Sequence, residues 1–197
     1  ECPDLFELDG ELVLVCCPQG VPAEGWRYRN PHQCVWFRIE ADWDAPSFKI
    51  IEQGLPQMVD AGFDFYAPQS FEDAVGRRLM IGWVGCPDAT AENPTVERGW
   101  QCALTVPREL SMRDGKLCQW PAREIEKLRS DGVRVAAGEL VEDPGRLFDA
   151  VVSCEGVKTF ELEIREGIFV RYADEMLTLD MGDEGFGRDQ RSVELSE

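Results

Sequence analysis

Two Asp-Gly dipeptides, Asp9-Gly10 and Asp114-Gly115, each stand between short apolar runs, and nothing else in the chain constrains its fold as tightly. A two-residue Asp-Gly connection is the strongest short-range signal for an antiparallel hairpin. The first joins residues 5–8 to 11–17, and the second divides the run 109–120. Between them, residues 34–40, 48–51, 64–67, 78–85 and 100–106 form further short apolar or alternating runs separated by Gly, Pro and Asp. Short strands at this spacing, with no helical period between them, predict an all-β sandwich, barrel or propeller.

One segment breaks the pattern. Pro121-Ala-Arg-Glu-Ile-Glu-Lys-Leu-Arg129 predicts a helix, with Pro121 at its first position, Ile125 and Leu128 on one face, and Ser130-Asp131-Gly132 ending it. Strands then resume in another style. Phe160, Leu162 and Ile164 alternate with Glu161, Glu163 and Arg165, followed by runs at 168–172, 176–179 and 191–195. Clean alternation marks a sheet with one wet face, as in a β-sandwich. A boundary is therefore expected near the helix.

Charge removes whole classes of partner. With 20 Lys and Arg against 38 Asp and Glu, the net charge is −18, and such a chain repels nucleic acid and anionic membrane surfaces. A single His rules out His-rich zinc sites and paired-His relays. The eight Cys lack any Cys-x-x-Cys spacing, so they predict small buried hydrophobes in a reducing compartment, without a metal. A cytoplasmic location is expected. No stretch reaches transmembrane length, and Glu1-Cys2-Pro3-Asp4 does not open a signal peptide. The lack of an initial Met and the start in mid-pattern suggest that residue 1 is not the natural beginning.

The residues alone flag carboxylates without ranking them. Glu1-Cys2-Pro3-Asp4 places a carboxylate, a thiol and a rigid Pro beside a strand. Asp64 lies among aromatics in Gly62-Phe-Asp-Phe-Tyr66, and Trp83 follows Gly82, where a flat side chain can line a sugar-sized pocket. Each has a plain alternative: a solvated terminal residue for Glu1, a turn former for Asp64, a core residue for Trp83.

The order of motifs narrows this. Glu1-Cys2-Pro3-Asp4, then Phe63-Asp-Phe-Tyr-Ala-Pro-Gln69, then Arg77-Arg-Leu-Met-Ile-Gly-Trp83, then Leu104-Thr-Val-Pro-Arg-Glu-Leu110 resembles glycoside hydrolase family 32, which includes invertases, sucrose-6-phosphate hydrolases and fructan hydrolases. The resemblance is close over residues 1 to about 130 and loose beyond. It implies the later blades of a five-bladed β-propeller over residues 1–118, a linker with a short helix over 119–132, and the first part of a β-sandwich over 133–197. It implies a retaining hydrolase of β-fructofuranosidic bonds in sucrose or sucrose 6-phosphate, with Glu1 as general acid/base and Cys2, Asp64 and Trp83 at the sugar. No cofactor is implied, because two carboxylates do the work.

Departures from the family pattern set the remaining expectations. The family's nucleophile is an Asp in a Trp-Met-Asn-Asp-Pro-Asn-Gly motif, and a second Asp sits in Arg-Asp-Pro; neither motif occurs here, and Asp143-Pro144 follows Glu142 beyond the linker. The chain is thus expected to supply the acid but not the nucleophile, and to need the missing N-terminal blades of the same protein, or a second copy in a homo-oligomer, to cover its open edges. The competing expectation is an inactive fragment or a non-catalytic sugar-binding scaffold of the same fold.

Overall fold

The computed structural model describes residues 1–51, 54–89, 93–141, 145, 147–182 and 189–195, and Asp143-Pro144 lies outside them. Both Asp-Gly pairs make the expected hairpins. Asp9 and Gly10 (φ +51° and +84°), like Asp114 and Gly115 (φ +50° and +72°), are left-handed, the conformation whose twist matches that of the flanking strands. The first turn joins β1 (Asp4–Leu8) to β2 (Glu11–Cys16). These continue into β3 (Val35–Asp42) and β4 (Ser47–Ile50) as an antiparallel meander, with the short β5 (Gln57–Met58) beside the start of β3. A second antiparallel sheet runs in the order β10 (Lys116–Pro121), β9 (Arg108–Arg113), β7 (Arg78–Val84), β6 (Phe65–Glu72), and β8 (Ala103–Leu104) pairs with the far end of β7. The third sheet is the meander β11 (Thr159–Arg165), β12 (Ile168–Ala173), β13 (Met176–Asp180) and β14 (Gln190–Glu194).

The core lies between the first two sheets. Every second residue points inward: Phe6 and Leu8 on β1, Val13 and Val15 on β2 and Trp36 on β3, facing Phe65, Met80 and Leu110 from the second sheet. Each such side chain contributes roughly 1.5–3 kcal/mol on burial. Polar straps fix the two sheets against each other. The Asp4 carboxylate accepts from the Ser70 amide at 2.7 Å, and the Asp9 carboxylate accepts from the Met112 amide at 2.7 Å, so both ends of β1 are tied to the second sheet. Arg108 stacks over the Phe65 ring at 4.7 Å and donates to Asp60 at 2.8 Å.

Three expectations change. The segment 121–129 is not an α-helix: Pro121 ends β10, and a 3-10 helix covers Arg123–Leu128. Pairing of Pro121 with Arg108 leaves too little chain for a long helix, and no apolar face holds one down, since Leu128 is 80% exposed. The strand expected over 100–106 shrinks to Ala103–Leu104, and β5 was not expected at all, being two residues long. In the third sheet the alternation of β11 is kept, with Phe160 stacked on its cross-strand partner Tyr172 at 5.8 Å.

The accessible surface is 14012 Å². A compact monomer of this size would expose ~9400 Å². Part of the excess is apolar, including Trp43, Trp100, Leu104 and Trp120.

Candidate active site

The site begins with a break in register. Along β1 and β2 the paired residues are Asp4 with Val15 and Phe6 with Val13. Continued unbroken, that register would put Glu1 opposite Pro18. Instead the Glu1 backbone nitrogen donates to Cys17 O at 3.0 Å, and Cys17 N–H donates to Glu1 O at 2.8 Å. Cys2 and Pro3 together oppose Cys16, a β-bulge whose first residue, Cys2, is left-handed with φ +48°. One extra residue turns every side chain beyond it to the other face. Glu1, which parity would send outward with Leu5 and Glu7, therefore faces inward beside Cys17.

The second sheet repeats the device. Tyr66 pairs with Trp83 and Gln69 with Ile81, so Ala67 and Pro68 oppose Gly82, and Ala67 is left-handed with φ +47°. The residue before each bulge is the one presented to the site. Tyr66 Oη donates to Glu1 Oε2 at 3.0 Å, and Gln19 Nε2 donates to the same oxygen at 3.1 Å. Tyr66 is buried, and that burial, reinforced by the Glu1 hydrogen bond, pushes its phenol up to about 12.

Aromatic rings surround the phenol. The Trp83 indole meets Tyr66 edge-on with ring centroids 6.5 Å apart, and the His32 imidazole lies 6.0 Å away on a tilted plane. His32 Nε2 in turn contacts Asp88 Oδ2 at 3.0 Å. Gly85 makes room for the indole, since a Cβ there would lie 2.4 Å from Trp83 Cε2. Asp64, left-handed with φ +55°, accepts a backbone hydrogen bond from Gly85 N–H and so continues the β6–β7 ladder. Asp64 and Trp83 line a shallow cleft of about 180 Å³ together with Cys86, Asp88 and Gln101.

Of the residues singled out by sequence, Glu1 and Trp83 are joined through Tyr66, and Trp83 and Asp64 share one cleft wall. Cys2 is half-buried against the core. Tyr66, Gln19 and His32 were missed. A signal for Tyr66 was present, because Tyr66-Ala67-Pro68 repeats the polar-small-Pro spacing of Glu1-Cys2-Pro3. Among the described residues no cluster of three His, Cys, Asp or Glu is placed to hold a metal ion, and no helix is long and apolar enough to cross a membrane.

Comparison with known proteins gives this geometry a context. The model of the glycosyl hydrolases family 32 N-terminal domain matches residues 1–121. The sucrose-6-phosphate hydrolase of Bacillus subtilis is 37% identical over 186 residues, 85% of this chain and 38% of that protein. The sucrose-6-phosphate hydrolase of Salmonella typhimurium is 42% identical over 132 residues, 66% of this chain and 28% of its own length. A Bombyx mori GH32 beta-fructofuranosidase variant solved in complex with sucrose superposes with a TM-score of 0.74 at 25% identity, over 100% of this chain and 42% of that one. The chain thus spans well under half the length of these relatives. Matched over more than half its length by the family's own domain model, and built from antiparallel sheets that superpose on a solved member, the chain belongs to glycosyl hydrolase family 32.

Proposed function

We propose that the chain carries the acid/base side of a retaining β-fructofuranosidase active site that acts on sucrose or sucrose 6-phosphate. The observation that carries this reading is the inward turn of Glu1 onto the buried Tyr66 phenol, 3.0 Å from Oη. Glu1 protonates the leaving glycosidic oxygen while a second carboxylate, outside this chain, attacks the anomeric carbon from the opposite face. Glu1 then takes a proton from the water that breaks the covalent intermediate. Tyr66 and Gln19 both bond Oε2, which fixes the carboxyl plane and leaves Oε1 for the sugar oxygen. Tyr66 stays neutral throughout the working pH range, so it remains a donor. Asp64 bonds sugar hydroxyls and Trp83 walls the ring. Cys2, expected at the sugar, serves chiefly by forming the bulge that turns Glu1 inward.

In this reading the two meanders of residues 1–118 are neighbouring blades of a five-bladed propeller, residues 119–132 are the linker with its short helix, and 133–197 begin a sandwich. The remaining blades, or a second copy, cover the exposed Trp100, Leu104 and Trp120. Eight unpaired thiols support a reducing, cytoplasmic setting. Steady-state kinetics of Glu1→Gln in the complete protein tests the assignment. Loss of general acid/base catalysis lowers kcat roughly 10²–10⁴-fold on both sugars. A variant within twofold of the parent sinks the assignment of Glu1, whereas a complete protein that binds sucrose without turning it over leaves a sugar-binding scaffold as the reading.

A further inference from the structure

The turn that presents Asp64 is held from the third sheet. Arg191 stands on β14 opposite Leu179, yet its side chain reaches residues 29, 30 and 63. Its Nε donates to Asn30 Oδ1 at 2.9 Å, its Nη2 donates to Arg29 O at 3.2 Å, and its guanidinium stacks over the Phe63 ring at 4.3 Å. The Asn30 amide passes the contact on, since its Nδ2 donates to Gly62 O at 3.0 Å. Gly62 and Phe63 are the two residues before Asp64. Asp189 fixes the guanidinium: its Oδ1 accepts from Arg191 Nη1 at 3.0 Å and its Oδ2 from Arg29 Nη2 at 2.8 Å. From the second sheet, Arg108 donates to Asp60 Oδ2, while Asp60 Oδ1 accepts from Gly62 N–H, both at 2.8 Å.

The Arg191 side chain is 13% exposed, and a charge buried to that degree must keep its partners, so the turn is held to one position against β14. Asp64 itself is left-handed at φ +55°, a conformation that a non-glycine residue keeps where its surroundings impose it. The described residues that line the cleft all lie between 64 and 102, and none belongs to the third sheet. We propose that Arg191 is a positioning residue for Asp64: it clamps the 60–64 turn and the Asn30 loop to β14, so a sheet that does not line the cleft helps to set its affinity for the sugar. This rests on the reading of Asp64 as a ligand of sugar hydroxyls given above.

The test is a set of substitutions in the complete protein, read by steady-state kinetics. Arg191→Met raises KM for sucrose about 5- to 20-fold and leaves kcat within about twofold, the split expected of lost uniform binding. Asn30→Asp gives the same split, because it keeps an acceptor for Arg191 but loses the amide that reaches Gly62. Arg171→Met is the control: Arg171 bonds Glu161 and Asp180 within the third sheet, so its loss lowers the melting temperature and leaves KM unchanged. In an Asp64→Ala background the Arg191 change adds less than about twofold to KM, since the residue it places is gone. Should Arg191→Met fail to fold, Asn30→Asp, which keeps the guanidinium, decides. A KM within twofold of the parent in Arg191→Met or Asn30→Asp, a fall in kcat without a rise in KM, an equal rise in Arg171→Met, or effects that multiply with Asp64→Ala overturns the proposal. A parent-like KM in Asp64→Ala overturns the reading of Asp64 instead, and faster amide exchange at residues 62–64 in Arg191→Met then still reports the clamp.

Discussion

Replacing Gly85 with Ala isolates a single contact in the cleft wall. The new methyl would sit 2.4 Å from Trp83 Cε2, 2.5 Å from Cζ2 and 2.8 Å from Nε1. Carbon atoms in ordinary contact lie about 3.5–4.0 Å apart, so the indole must retreat by roughly 1 Å or more. Gly85 is not among the residues with positive φ, so the backbone tolerates Ala and the whole cost falls on the side chain. Overpacking of this kind costs about 1–3 kcal/mol. At roughly 2–4 °C per kcal/mol for a chain of this size, a midrange cost of about 2 kcal/mol lowers the melting temperature by roughly 4–8 °C. Calorimetry measures that, and the double variant Gly85→Ala/Trp83→Ala separates the clash from other effects. With the indole gone, the Gly85 change costs less than about 0.5 kcal/mol more. In the complete protein the displaced wall raises KM for sucrose about tenfold with kcat nearly unchanged, the pattern of lost uniform binding. A Gly85→Ala protein that melts with the parent and keeps its KM would show that the glycine does not exist to seat Trp83.

Other outcomes follow from the same geometry. Stability falls as pH rises from about 10 toward about 12, because the unfolded chain releases the Tyr66 proton first while the folded chain keeps it; below pH 10 this contribution is fully present, and Tyr66→Phe removes its share of the alkaline slope in urea titrations. Asp4→Ala breaks the 2.7 Å bond from the Ser70 amide and costs about 1.5–3 kcal/mol by chemical denaturation, with Asn recovering part. Arg191→Met removes the guanidinium that stacks on Phe63 at 4.3 Å and donates to Asn30 at 2.9 Å, and hydrogen exchange of residues 62–64 rises because β14 no longer braces the turn before Asp64.

Much of the architecture was legible because it rests on local chemistry. Asp9-Gly10 and Asp114-Gly115 declare their turns through φ alone, and Phe160, Leu162 and Ile164 declare a half-wet strand through period two. The segment at 121–129 misled because Pro121 suits a helix start as well as a strand end, and only its pairing with Arg108 decides between them. The placement of Glu1 beside Tyr66 was not legible from strand parity, which puts it on the other face. Tyr66 was missed because a bulge is a property of register between strands, not of one strand. Cys17 was read as a small buried hydrophobe, and it is fully buried in the core between the sheets.

The paired bulges carry a lesson for protein engineering. Each one shifts its strand by a single residue, so the meeting of Glu1 and Tyr66 is encoded as a count of residues rather than as a shape. A transplant of this corner into another scaffold must therefore bring both one-residue insertions. With only one of them, however well the rest is packed, the carboxylate and the phenol would emerge on opposite sides of the graft.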